Sequence, residues 1–440
     1  MTKKINCSHF QVRCGCYYVT QNPRPTRRRG RHQSYLWVCT DDGVSTHVTV
    51  FNQSSSTGTA ATSLKQVTSF DLVETRVASI EFVKGLSNDP PCLASDLVWM
   101  GTDSRKVIVY TAAEPEKQEE LGSYPVSGPV VQIKYHFDNV FVALGVGSLL
   151  IFKRQYDGAW NMKEPAVVTL GSDPVACLMP INSSVYAACG KKVWVLNAMT
   201  GEGTKSFSIQ EHAGNVKLMA HSGVGLWVAL KNSSTVCLYH TETFKHLHDI
   251  NIASNVVRIT KSSNCSANCG DTFNNNSQSA VTVTALMACK GLLWVGTNVG
   301  ISLTIPLPRL EGVPIISGRV NISYHAHFGP ITFLLAMQNM SKSSMGYTKE
   351  DDIEDEQVVL RNKESDQNGH VHKQKSSDRV SLDTSSSSNT SSNVTKFKQQ
   401  LANSPVMLRR KRSKENEYRG SKTLPRGLGK YKFSIIIMKI

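Results

Sequence analysis

The sequence lacks the segments that would place a protein in a membrane. No run in its 440 residues approaches the roughly 20 consecutive apolar residues of a spanning helix, and the first ten residues hold no apolar core of a secretory signal. We therefore expect a soluble, cytoplasmic protein without an integral membrane segment. In that compartment the 11 cysteines are expected to stay reduced. Those inside strand patterns are expected to be small buried apolar residues: Cys39, Cys177, Cys189, Cys237 and Cys289.

Motifs of familiar catalytic chemistry are missing as well. The sequence contains no phosphate-binding Gly-x-x-x-x-Gly-Lys-Ser/Thr, no Gly-x-Ser-x-Gly nucleophile turn, no His-Glu-x-x-His zinc motif and no Gly-x-Gly-x-x-Gly that opens a helix. We therefore predict no catalytic residue, no cofactor-binding residue and no small-molecule substrate.

Metal-ligating residue types occur, but not in a convincing arrangement. Two histidine pairs alternate along predicted strands without a clear third ligand, and the cysteines near the N-terminus do not have the spacing of common zinc fingers. The residues are His246 and His248, His325 and His327, and the N-terminal set Cys7, His9, Cys14 and Cys16. We predict no metal site.

The net charge of +15 is concentrated at the two ends of the chain. Residues 1–34 carry 8 basic and no acidic residues, residues 35–338 carry 21 and 22, and residues 339–440 carry 20 and 12. Binding to phosphate backbones requires clustered Lys and Arg on a folded surface. The neutral centre therefore argues against a nucleic-acid partner. Because residues 1–34 are basic and contain no acidic residue, we predict that they form a disordered extension.

A short hairpin pattern recurs along the neutral centre. Its clearest copy lies within residues 291–306, where two apolar runs, 292–295 and 301–305, flank a glycine-bearing connection. β-Formers on both sides of a Gly- or Asn-containing turn are typical of a β-hairpin. Related copies begin near residues 36, 98, 140, 185 and 226, which makes six.

One aromatic residue occupies the same position in each copy of the hairpin, and we call these six residues the ring markers. The spacings of these rings are 62, 42, 45, 41 and 67 residues, and the three central values match the roughly 40–45-residue period of a four-stranded propeller blade. Insertions at turns explain the two longer spacings, since they cost little free energy. We predict an all-β, WD40-like β-propeller over residues 35–338, with these rings packed in its core: Trp37, Trp99, Phe141, Tyr186, Trp227 and Trp294.

Six blades are evident, and the ends of the chain leave two ways to close the ring. A final strand at 330–337 either completes the first blade, or begins an incomplete seventh blade that a stray strand within 432–440 finishes. Residues 339–431 are rich in charges, Ser and Asn and poor in aromatics, so we predict disorder there. Its basic run at 409–414 is interpreted as a solvated charge cluster in preference to a nuclear-import or lipid-binding signal.

Several phrases go beyond what propeller geometry requires. Residues 307–314, 323–327 and 329–333 closely resemble the end of the propeller in the Rho guanine nucleotide exchange factor 10 and 10-like family. Residues 240–247, 249–253 and 291–297 look like the same family. The resemblance covers about residues 35–338. A weaker similarity, through the Leu-Trp-Val-Gly-Thr hairpin, extends to Rho guanine nucleotide exchange factor 17 and to JNK-interacting scaffold proteins.

The resemblance implies a role in Rho GTPase signalling and actin cytoskeleton regulation, with protein partners. In that family, exchange resides in a Dbl-homology domain followed by a pleckstrin-homology domain, upstream of the propeller. Neither is evident in residues 1–34, so no exchange residue is carried over, and a Rho-family GTPase would be bound through the absent region. We expect a fragment, an isoform or an incomplete gene model of such a factor, acting as a non-catalytic interaction propeller. The alternative is a scaffold propeller of the JNK-interacting type in kinase signalling or vesicle transport.

Overall fold

The apolar runs form short antiparallel strands that assemble into six four-stranded sheets. In the computed structural model, the described residues are 11–21, 32–55, 62–86, 92–209, 214–263, 280–307, 320–322, 329–339 and 432–437. Within each sheet the strands follow one another in chain order. The blades are β1 (Gln11–Gln21), β2 (His32–Asp41), β3 (Thr46–Ser55) and β4 (Thr62–Leu72); β5 (Val77–Val83), β6 (Leu97–Thr102), β7 (Lys106–Thr111) and β8 (Glu120–Pro125); β9 (Val130–His136), β10 (Asn139–Leu144), β11 (Ser148–Lys153) and β12 (Ala166–Thr169); β13 (Val175–Ile181), β14 (Ser184–Cys189), β15 (Lys192–Asn197) and β16 (Gly203–Ser208); β17 (Val216–Ser222), β18 (Gly225–Leu230), β19 (Thr235–His240) and β20 (His246–Asn251); and β21 (Val283–Cys289), β22 (Leu292–Thr297), β23 (Ser302–Pro306) and β24 (Asn321–Ile322).

The first strand of each blade lines the inside of a ring. Strands β1, β5, β9, β13, β17 and β21 contact one another in that order. A two-stranded sheet of β25 (Leu334–Asn339) and β26 (Lys432–Ile437) completes the set, and β25 contacts both β21 and β1. The prediction of an all-β, six-bladed propeller is confirmed.

The recurring Trp-x-Gly-Thr motif sets how closely neighbouring blades approach. A Cβ atom at Gly101 would lie 2.3 Å from Val130, the first residue of the next inner strand, so only glycine fits there. Thr102 then fixes its hairpin, because its Oγ1 donates to Lys106 O at 2.9 Å and accepts from Lys106 N at 3.1 Å. The motif therefore encodes both a turn and a contact between blades.

The last blade uses the same device. A Cβ atom at Gly296 would lie 2.7 Å from Ile331, which occupies the place against the sixth blade that Val130 occupies against the second. Thr297 repeats the turn bonds to Ile301, at 2.7 and 3.1 Å. The segment that leads into β25 thus packs against its neighbour as an inner strand does.

Apolar side chains fill the space between the blades. Trp99 is fully buried, with ring centroids 5.4 Å from Phe152 and 5.6 Å from Trp160, so it joins the second blade to the third. Five of the six predicted ring markers are buried, which confirms their core position, and the sixth, Trp294, is half-buried.

Polar groups on the inner strands join successive blades. Ile133 N donates to Ser79 Oγ at 3.0 Å, and Lys134 Nζ lies 2.8 Å from Glu81 Oε2. Attraction to Glu81 raises the pKa of Lys134 even though burial acts in the opposite direction. These bonds satisfy inner-strand groups that would otherwise be unpaired in a desolvated ring.

The first blade begins earlier than the sequence predicts. Residues 1–34 were expected to be disordered, which is wrong for the part that forms β1 and for the start of β2. Tyr18 on β1 is buried, accepts a hydrogen bond from Trp37 Nε1 at 2.9 Å and donates to Ala112 O at 2.9 Å. The first 34 residues hold eight basic residues and no acidic ones, so their average composition hides the strand pattern of β1.

The end of the chain also corrects one alternative. Strand β25 pairs with β26 and not with the first blade, which has four strands of its own, so the closure in which the final strand completes the first blade is wrong. Most of the predicted disordered segment, residues 340–431, lies outside the described residues.

A helix, α1 (Ala253–Ser263), begins the insertion between the fifth and sixth blades, with Val256 buried.

Candidate interaction face

Two sets of loops meet on one face of the ring. The turns between the second and third strands hydrogen-bond with the connections between blades: Asp103 N donates to Arg76 O at 3.0 Å, and Lys231 N donates to Asn215 O at 2.8 Å. We call this the hairpin face. Its turns are residues 42–45, 103–105, 145–147, 190–191, 231–234 and 298–301.

A β-bulge at the start of each inner strand shapes the centre of the hairpin face. The register shifts after the first valine of all six strands, so one extra residue is left outside the regular pairing. These residues are Arg13, Ala78, Val131, Ala176, Lys217 and Thr284.

Side chains at this position reach towards the next blade. The Lys217 ammonium donates to the carbonyl of Val283 at 3.4 Å. Thr332, which follows Ile331, likewise donates to Val12 O at 2.8 Å. Lys217 and Thr332 therefore bridge neighbouring inner strands at the hairpin face.

In the first blade the bulge residue is an arginine with its own counterion. Arg13 Nε lies 2.5 Å from Asp41 Oδ2, and the Asp41 side chain is only 4% exposed. Arg76 approaches the same oxygen at 3.7 Å and also lies 3.5 Å from Asp103. Positive and negative charges balance in this network, so this side of the face is electrically satisfied.

Between the fourth and fifth blades, the lysines form no ion pair with the described residues. Three lysines lie along the seam, because Val216 N donates to Gly190 O at 2.9 Å and Lys231 N donates to Asn215 O at 2.8 Å. We call Lys191, Lys217 and Lys231 the lysine cluster. Burial, with repulsion from Lys231, lowers the pKa of Lys217.

The opposite face holds a different arrangement. Arg154 Nε lies 3.0 Å from Asp138 Oδ1, and its guanidinium carbon is 4.4 Å from the centroid of Trp160. The Arg154 side chain is only 4% exposed, and its contacts with Asp138 and Trp160 hold the loop that follows β11 against the propeller. Tyr156 and Leu86 project from this region and are strongly exposed.

Of the two histidine pairs, the structure describes His246 and His248, and these two make different contacts. His246 Nε2 lies 2.8 Å from Asp249 Oδ1, whereas His248 is exposed. His325, His327, Cys7 and His9 fall outside the described residues. Within the ranges that the structure covers, no group of three or more His, Cys, Asp or Glu residues could hold a metal ion.

The cysteines behave as buried apolar residues. Cys39, Cys177, Cys189 and Cys237 are buried, as predicted, and Cys289 is half-buried. Desolvation raises the pKa of Cys177 to about 11, which keeps the thiol protonated and a poor nucleophile.

No helix in the described ranges is long and apolar enough to cross a membrane.

Sequence patterns did not single out the charged residues of the hairpin face. Arg13 lies in a segment that was predicted to be disordered, and the lysine cluster depends on a bulge that places Lys217 beside turns from two blades. The sequence signal that could have located these charged residues is the valine near the start of each inner strand, because the bulge residue follows it directly.

The fold and its repeated motif agree with the comparison with known families. The model of the WD40 repeated domain matches residues 3–424. The chain therefore belongs to the WD40 repeat family.

Several proteins that are similar to this chain indicate its place within the WD40 repeat family. The chain is similar to Rho guanine nucleotide exchange factor 10 of Homo sapiens, with 29% identity over 348 residues that cover 74% of this chain and 24% of that protein. It is also similar to the Rho guanine nucleotide exchange factor 10-like protein of Pongo abelii, with 31% identity over 320 residues, covering 69% and 24%. JNK-interacting protein 3 of Drosophila pseudoobscura pseudoobscura is 26% identical over 271 residues, covering 58% and 21%.

These relatives confirm the resemblance inferred from the sequence. The chain spans about a quarter of the length of the exchange factors that it matches, 24% in both cases given.

Proposed function

We propose that this chain is a non-catalytic protein-interaction propeller of a Rho guanine nucleotide exchange factor, acting in the cytoplasm in Rho GTPase signalling and actin cytoskeleton regulation. The observation that carries the proposal is the similarity to proteins named Rho guanine nucleotide exchange factor 10 and 10-like, over 74% and 69% of the chain. The propeller fold presents loops on a rigid support, which suits an interaction role.

The ring supports an interaction role through its construction. Inner strands are joined by hydrogen bonds between blades and by buried aromatic side chains, so the backbone under the loops is fixed. The hairpin face then presents turns from all six blades on one side of the molecule. A partner would meet a preorganised surface, which reduces the entropy lost on binding.

The thiols and phenols of the core are not activated nucleophiles. Groups with strongly raised pKa values are core thiols and phenols, such as Cys16 and Tyr18, and desolvation is the largest cause for both. Burial therefore keeps them neutral. A general base or an activated nucleophile requires a pKa tuned towards neutrality and access to a substrate.

Nucleotide release tests the proposal directly. Purified chain is expected to leave the release of fluorescent GDP from a Rho-family GTPase at its spontaneous rate. The same chain joined to a Dbl-homology and pleckstrin-homology region is expected to accelerate it. Acceleration by the isolated chain would refute the non-catalytic role, and an inactive fused protein would count against membership of an exchange factor.

A second candidate function is a scaffold propeller of the JNK-interacting type, in kinase signalling or vesicle transport. The similarity to JNK-interacting protein 3 over 58% of the chain favours it. The coding sequence upstream of Met1 discriminates between the two. Long heptad repeats there would favour the scaffold, and a Dbl-homology helical bundle would favour the exchange factor.

A further inference from the structure

The lysine cluster is a concentration of positive charge on the hairpin face. Lys191 is exposed at the turn between β14 and β15, Lys231 is exposed at the turn between β18 and β19, and Lys217 lies between them at the bulge of β17. Two backbone hydrogen bonds hold these segments together, Val216 N to Gly190 O and Lys231 N to Asn215 O. The three ammonium groups are therefore presented from a fixed backbone.

The described part of the chain does not neutralise this charge. No carboxylate lies within 4.0 Å of the three ammonium groups among the residues described. Asp173 shares the seam, where its carboxylate lies beside Gly190, yet it forms no such pair with them. The ammonium of Lys217 hydrogen-bonds to a backbone carbonyl, that of Val283 at 3.4 Å.

The first blade shows what occupies the corresponding position when the charge is satisfied. Arg13 is the bulge residue of β1, as Lys217 is of β17, and the Asp41 carboxylate lies 2.5 Å from it. Asp41 and Lys231 also occupy corresponding positions, because each follows the residue that pairs with the first valine of its inner strand, Thr40 with Val12 and Leu230 with Val216. One blade therefore places an acid beside the bulge cation, whereas the other places a second cation there.

Two like charges held together make the cluster receptive to an anion. Burial and Lys231 disfavour the charged form of Lys217, so its pKa is lowered. A carboxylate at the seam would reverse the unfavourable electrostatic contribution and favour the charged form. Binding an acid is therefore coupled to relief of a repulsion that is present in the free protein.

We propose that the lysine cluster is a docking site for an acidic segment of a protein partner, whose carboxylates occupy the place that Asp41 occupies in the first blade. This deepens the interaction role and rests on the proposed function. A protein segment is favoured over nucleic acid, since the site offers three lysines on an otherwise neutral ring, without the extended basic groove that tracks a phosphate backbone.

The test uses the full chain and a fluorescein-labelled peptide that contains six consecutive glutamates. Fluorescence anisotropy at low salt is expected to show binding that a matched glutamine peptide lacks. Replacing all three residues, Lys191→Gln, Lys217→Gln and Lys231→Gln, is expected to weaken binding at least tenfold. The matched control, Lys84→Gln, Lys153→Gln and Lys163→Gln, removes the same charge from the opposite face and keeps the affinity, including any contribution from the basic termini.

Two further measurements separate charge from structure. Lys217→Arg keeps the positive charge and is expected to keep the affinity, whereas Lys217→Gln loses at least threefold. Carbodiimide coupling of the glutamate peptide to the wild-type chain, followed by peptide mapping, is expected to label the lysine cluster.

Equal loss of binding in the two triple variants, or coupling only to lysines outside the cluster, would overturn the proposal. So would binding to phosphatidylserine vesicles that depends on the cluster when peptide binding does not. None of these outcomes bears on nucleotide release, so the docking site and the proposed function can fail separately.

Discussion

A chain shortened to begin at Tyr35 is expected not to fold cooperatively. The truncation removes β1, the inner strand of the first blade, together with its contacts to β5 and β25. Tyr18 is lost, and with it a ring stacked 4.4 Å from Phe82 and the partners of Trp37 Nε1 and Ala112 O. Each large buried side chain contributes about 1.5–3 kcal/mol, so the loss of a whole inner strand approaches the roughly 5–15 kcal/mol of a typical domain.

Thermal unfolding followed by circular dichroism and calorimetry measures this effect. A chain that begins at Gln11 is the matched control, because it retains β1, and it is expected to unfold at the wild-type temperature. An equally cooperative transition in the chain that begins at Tyr35 would show that β1 is dispensable, as the sequence-based boundary implied.

Replacing Trp99 with alanine is expected to destabilise the propeller by about 3–5 kcal/mol, the range for a buried large aromatic residue. Trp99 is fully buried and contacts Phe152 and Trp160 across the junction of the second and third blades. Because the neighbouring blades are held by their own hydrogen bonds, the cavity cannot collapse easily.

Chemical denaturation measures this change in the free energy of unfolding. Val167→Ala provides the comparison, because Val167 lies on an outer strand and is 62% exposed, so the change is expected to stay within about 0.5 kcal/mol. Similar effects at Trp99 and Val167 would contradict the assignment of Trp99 to the junction between blades.

The repeated hairpins could be predicted because every copy carries the same physical requirements. Gly101 and Gly296 permit close packing of the next inner segment, and Thr102 and Thr297 fix their turns, so two of the hairpins share the full motif. The other four keep the apolar strand and the marker aromatic residue. Burial of the marker rings follows from the same regularity.

Other features depend on residues that are distant in sequence, and local patterns do not reveal them. Strand β1 is recognised through its pairing with β2 and the burial of Tyr18, not through its composition. The lysine cluster arises because a bulge and two turns from different blades meet at one seam. Neither can be inferred from the spacing of residues within a single repeat.

The closed ring of inner strands is the claim on which the interaction face depends, and amide hydrogen exchange tests it most directly. We expect peptides from Gln11–Gln21 to be protected to a similar degree as those from Val130–His136 and Val175–Ile181, because all three strands lie within the ring. Exchange of Gln11–Gln21 at the rate of an unstructured peptide would contradict the account.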